Sequence, residues 1–427
     1  MSHLQDRPKT GGTPQPPPMP RSKHESKGWL QIAALAGIAI LAILWLPNLK
    51  SEDIPFWLRW MATDLNLGIV GGYHQVPGEY PPLCRLILAI PAQVARATGG
   101  DLGFALKASF LVAMFTGGAL FYWSTRDRWI TLALLAASLV NNLGIGYQDA
   151  FVAPVLTLSM HFLWKERWLR SFVFLILASF IKWQPGILAP FIAVYIARRL
   201  VHESRGGLAR GGWAVPIATN LVVPAVAIPA AFYAVFGPLL VVAFLWISNN
   251  MFLNGNALNL NYIYTVLLHV LEPGRFGTLG VGEVLIIGAP GGFLIAPKVI
   301  FWAAYVLLLL RCARSARGFT ETLSFAILGY FTYFMFNTGA HENHLITILV
   351  PLAYLAHVNR PFRPVAGAIA LLANLNMVIF YGFDGTELQY AKTVSGAIFL
   401  SVLSLGAFAV YLWTARTTLR GSRPSKS

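Results

Sequence analysis

Six short polar clusters interrupt an otherwise apolar chain, and each carries side chains able to hold a phosphate, a sugar or a proton in transit. Glu52 and Asp53 follow closely on an apolar run that ends at Pro47. A helical reading of residues 54–69 sets Phe56, Trp57, Trp60 and Met61 on one face. Such an amphipathic helix lies on a membrane surface, which would hold Asp53 at the boundary of lipid and water, where a general base can act on an amphipathic substrate. A solvated acidic loop has the same composition. Asp64 and Glu79 are the next carboxylates along this stretch, and Glu79-Tyr80-Pro81-Pro82 forms a rigid step because two consecutive prolines fix φ and remove two donors. An ordinary proline at a helix start would read the same way.

Gly146-Tyr147-Gln148-Asp149 and Lys182-Trp183-Gln184-Pro185 sit between apolar segments too close together for long loops, so their charges stay near membrane depth. A charge there costs ~2.5–3.5 kcal/mol on insertion scales, which makes both clusters functional candidates. An ion pair between Asp149 and Lys182 that only ties helices together is the structural alternative. Residues 254–262 are rich in side-chain amides, Asn256 and Asn259 among them, and end on Tyr262. Amides and rings suit a sugar, while Asn also suits turns for its tolerance of left-handed backbone. Residues 337–344, Asn-Thr-Gly-Ala-His-Glu-Asn-His, open the apolar run from Leu345. The start of a helix favours an anion, and His341 and His344 offer donors to a phosphate. Their i, i+3 spacing also fits a metal pair, but no Cys or tight carboxylate cluster completes a tetrahedral set.

The elements that must position these groups follow from composition. Of 427 residues 56% are apolar and 11% charged, where soluble domains carry about 25% charge. The sequence predicts an all-α polytopic membrane protein of about 12 (11–13) transmembrane helices, the first outer loop carrying amphipathic helices. Expected spans lie at about 29–47, 102–123, 129–146, 150–164, 170–181, 185–201, 213–236, 283–310, 322–337, 342–358, 363–381 and 393–415, with residues 83–97 as a re-entrant or interfacial helix. Residues 1–28, basic and proline-rich, are expected to be a disordered cytoplasmic tail, 29–415 the membrane domain with outer loops at 48–82 and 237–282, and 416–427 a second basic tail. The 23 of 32 Lys and Arg that fall in alternate loops put both termini in the cytoplasm and the polar clusters outside. The net charge of +15 is therefore a topology signal rather than a nucleic-acid one, and no nucleic-acid partner is expected. Cys84 and Cys312 fall on opposite sides of the membrane in this topology, which excludes a disulfide scaffold.

In this order the clusters resemble the GT-C superfamily of integral-membrane glycosyltransferases. The resemblance runs from about Trp29 to Trp413 and rests on Asp53 and Trp60, Tyr80-Pro81-Pro82-Leu83, Gln148-Asp149, Lys182 with Pro185, Asn256-Ala257-Leu258-Asn259, and His341-Glu342. The last pair is similar to the His-Glu signature of polyprenol-phosphate mannosyl- and glucosyltransferases. A strict Asp-x-Asp is absent, Asn343 stands where the family has a basic residue, and no large soluble domain follows the last helix. The resemblance implies inverting transfer of one hexose, mannose or glucose, from a polyprenyl phosphate to a hydroxyl of a glycan, lipid or protein acceptor on the outer face of a bacterial plasma membrane. Asp53 would be the base. His341, Glu342, His344 and Lys182 would hold the donor phosphate, and Glu52, Asp64, Glu79, Tyr80, Gln148, Asp149, Asn256 and Asn259 would bind the substrates. No cofactor is required, though a divalent metal would assist the leaving phosphate. A transporter or flippase for a lipid-linked sugar or another anionic lipid is the alternative, and binds near the midplane of repeated halves; no internal repeat is visible here. A scaffold subunit of an envelope complex needs none of these side chains to react.

Overall fold

Backbone groups in lipid must be satisfied within the segment itself, so apolar runs of this length are expected as helices. In the computed structural model, which describes residues 51, 53–205, 212–248, 252–281, 284, 286, 290–382 and 388–421 with scattered residues between 29 and 40, every described regular element is a helix. Glu52, most of the first span, the N-terminal tail, Glu283, Asp384 and Glu387 lie outside the described residues. One isolated bridge joins Gly255 to His341.

The order is α1 (Ile54–Gln75), α2 (Pro82–Thr98), α3 (Leu102–Thr125), α4 (Arg128–Ile145), α5 (Val152–Trp164), α6 (Trp168–Ile181), α7 (Ala189–Arg205), α8 (Ala214–Phe236), α9 (Leu239–Ser248), α10 (Leu260–Leu271), α11 (Gly291–Ser315), α12 (Phe319–Phe336), α13 (Leu349–Val358), α14 (Arg363–Tyr381) and α15 (Val394–Gly421). Helix starts carry the side chains that satisfy free N–H groups: Asp101 accepts from Phe104, Asp127 from Ile130 and Asn259 from Tyr262. Gly99, at positive φ, ends α2.

Six of these helices, α3, α4, α8, α11, α14 and α15, are long and apolar enough to cross a membrane, against about twelve expected. The difference has a physical cause in three places. Gln148–Phe151, Gln184–Leu188 and His344–Ile348 are 3-10 turns that precede α5, α7 and α13, so the continuous helix in each run is short. Irregular backbone at membrane depth survives only where protein or a cavity surrounds it, and here it surrounds the polar clusters. Residues 83–97, expected as a re-entrant or interfacial helix, form part of the single helix α2. Residues 237–282, read as a loop, carry α9 and α10, while α15 extends the last helix to Gly421.

α12 is the buried axis: residues Thr322 to Thr332 are all hidden, and a side chain at Gly329 would strike Phe191 of α7. α8, α11 and α15 instead expose Val226, Leu307 and Val402. Apolar surface on that scale belongs against lipid. α1 folds back on α2. Its buried stripe is Ile54, Trp57, Trp60, Met61 and Asp64, whereas Phe56 points outward, contrary to the expected face.

Candidate active site

The chain runs so that α4, α6, α12 and α14 end, and α5, α7 and α13 begin, at one end of the bundle. Arg126, Lys165, Arg317 and Arg360 lie at the opposite ends of these helices. The polar clusters therefore converge. A cavity of about 190 Å³ is lined by Asp53, Glu79, Tyr80, Tyr147, Lys182, Trp183, Gln184, His341, Glu342, Asn343, His344 and Tyr381. At ~30 Å³ per water this is room for about six waters, or one small polar ring.

Asp53 stands at the start of α1 but its side chain does not cap the helix. The carboxyl is left to the cavity. Burial, then the nearby Glu342 and Glu79 carboxylates, push its pKa up to about 7, with His341 and Lys182 acting in the opposite sense. Burial by itself would push His341 down, yet Glu342, Glu79 and Asp53 hold it above the usual histidine range. Its Nδ1 lies 3.8 Å from Glu342 Oε2. Tyr147 donates to Glu342 Oε1 at 2.9 Å, and Trp183 Nε1 donates to the Glu79 carbonyl at 2.7 Å.

Lys182 and Asp149 form a buried pair at 2.6 Å, and Asn343 adds a bond to the other carboxylate oxygen at 3.3 Å. Asp149 sits behind the wall rather than in it. Of the two expected roles, tying helices together is the one this geometry displays, with the lysine still facing the cavity. His344 is fixed on both nitrogens: Nδ1 receives the His341 backbone N–H at 3.1 Å and lies 3.0 Å from the Tyr333 hydroxyl, while Nε2 meets the Gln184 amide at 2.9 Å.

The segment around residue 255 is stitched to this break by backbone bonds. Gly255 donates to the Ala340 carbonyl at 3.0 Å and Glu342 donates to Gly255 at 3.2 Å. A Cβ at Gly255 would come within 2.6 Å of the His341 ring, so only glycine lets the two strands of chain approach. Asn376 accepts from the Leu258 N–H and donates to the Glu342 carbonyl. No polar cluster in the sequence points to Asn376, which with Asn374 is one of two amides in the apolar run of α14, yet it fixes the signature pair through the Glu342 carbonyl.

Several expected substrate-binding residues lie off the cavity lining. Asp64 is buried in a two-pronged pair with Arg85, whose Nε donates at 2.9 Å and whose guanidinium rests over Trp60. Asn259 is committed to capping α10 and to the Phe334 carbonyl. Gln148 accepts from Cys84 behind Tyr80, and Asn256, at positive φ, stands beside Tyr381. Among the described residues no three of His, Cys, Asp and Glu converge as a metal site. No known protein family matches this chain, and no curated protein does.

Proposed function

We propose that the chain is a multi-pass glycosyltransferase of a bacterial plasma membrane, with both termini cytoplasmic and about twelve crossings. It would move one mannose or glucose from a polyprenyl phosphate to an acceptor hydroxyl on the outer face. The reading is carried by one observation: the uncapped Asp53 carboxyl, poised near neutral pKa, shares a sugar-sized cavity with His341 and Lys182. A base with a pKa near the working pH combines availability with driving force. The acceptor hydroxyl attacks the anomeric carbon as Asp53 takes its proton. The bond from that carbon to the phosphate oxygen breaks with inversion, and polyprenyl phosphate leaves with the electron pair. His341 donates toward the departing phosphate, while the rings of Trp183, Tyr147 and Tyr381 supply flat surface for the sugar. No step is routed through a metal.

The test is transfer by purified Asp53→Asn protein in nanodiscs, normalised to folded protein. Loss of ~10²-fold or more is expected of a missing general base. Activity within ~3-fold of the parent would exclude that role, and movement of the sugar lipid across vesicles with no transfer to any acceptor would favour a flippase.

A further inference from the structure

α11 is the most hydropathic of the crossing helices, yet it carries one lysine early in the span. Lys298 is the only charged residue between Gly291 and Leu310, about 10 Å along the helix at 1.5 Å per residue. It adjoins the stripe of Pro297, Phe301 and Tyr305 by which α11 packs inward, where the Tyr305 hydroxyl donates to the Ile187 carbonyl at 2.7 Å. Half-buried there, Lys298 forms no ion pair and no hydrogen bond with any described residue. A cation held at membrane depth without a counter-charge is costly and marks a place where an anion is brought.

The groove it lines holds about 610 Å³ and has no acidic residue on its walls; Phe244, Phe301, Trp302 and Tyr305 make it largely apolar. Trp183 and Gln184 line both this groove and the polar cavity. Lys182, on the cavity side, is already neutralised by Asp149. One unpaired cation, an apolar groove and a sugar-sized cavity that shares Trp183 and Gln184 with it thus lie side by side.

We infer that this groove seats a membrane lipid whose apolar chain is joined to its head group through a single phosphate, with Lys298 as the charge partner of that phosphate. The assignment rests on the glycosyl-transfer reading for the identity of the head group, but not for the phosphate. It moves the cationic role from Lys182, the lysine singled out in the sequence, to Lys298. A charge-assisted contact of this kind is worth about tenfold or more in affinity.

Binding of farnesyl phosphate to the full-length protein in a sterol-based detergent, followed by native mass spectrometry, tests it without any sugar present. Farnesyl phosphate is expected to bind at least about tenfold tighter than farnesol. Lys298→Gln should erase that preference while leaving farnesol affinity unchanged, and Lys298→Arg should restore it. Lys298→Met, which keeps the aliphatic stem, repeats the comparison should the amide disturb the groove. A preference that survives both neutral variants overturns the inference. So does inorganic phosphate competing at the same concentration, which marks a free-anion site, or phosphatidylglycerol competing equally, which marks a general anionic-lipid site. A Lys298-dependent preference in a protein that transfers no sugar would sink the glycosyltransferase reading alone.

Discussion

Asp53 is held against its chemistry as a free carboxylate, and that has two measurable consequences. If ionised Asp53 is the base, transfer should rise with pH through about 7 and then level off; a pH–rate profile with no limb between pH 6 and 8 would remove it from the mechanism. Stability runs the other way. The folded protein keeps this proton to about pH 7 whereas the unfolded chain releases it near 3.8, so the folded state binds more protons between those values and loses stability as pH rises across them. Asp53→Asn should therefore melt above the parent at pH 8, the gap closing toward pH 4, even as transfer falls. His341 separates donor from acceptor: His341→Ala is expected to raise KM for the sugar lipid more than KM for the acceptor, since the proposed mechanism has the ring, which lines the cavity, donate toward the leaving phosphate. Steady-state kinetics with each substrate varied in turn decides it, and a larger change on the acceptor side would assign His341 to the acceptor instead.

Among the elements, the α1–α2 hairpin is tied by the buried Asp64–Arg85 pair, and a side chain at Gly72 would collide with Asp64. Asp64→Ala leaves the guanidinium buried and unpaired, a loss of ~3–5 kcal/mol. Thermal unfolding should register it while transfer per folded molecule stays within ~3-fold, because Asp64 is not on the cavity lining. Asp64→Leu combined with Arg85→Met should recover much of the loss. This hairpin also marks how far the sequence could be read. Asp53, Tyr80, Lys182 and His341 were legible because polar residues interrupting apolar runs are costly without a use. Asp64 looked the same from its neighbours in sequence, since nothing there names Arg85, 21 positions on, as its partner. The helix breaks were hidden for a related reason: residues 342–358 read as one apolar span, and only packing against Tyr330, Tyr333 and Gln184 turns their first residues into a 3-10 turn. Lys298 gives no such signal in the sequence, because a single charge hardly lowers the hydropathy of α11.

The whole molecule is polarised, with the cavity at one end and the arginine-rich turns at the other. If the cavity faces outward, cysteine introduced at Glu79 should react with a membrane-impermeant thiol reagent in intact cells, and at Arg126 only after permeabilisation. The native Cys84 and Cys312 are buried, which keeps the background low. The opposite pattern would turn the cavity to the cytoplasm and exclude an external acceptor. The bond from Tyr147 to Glu342 and that from Asn343 to Asp149 join residues 195 and 194 positions apart. During synthesis, then, the first half of the site waits for the second. Until the segment beyond α12 has left the ribosome and inserted, Tyr147 and the far side of Asp149 have no partner. An interrupted chain presents unsatisfied polar groups within the bilayer, a mark by which membrane quality control can tell a half-made copy from a finished one.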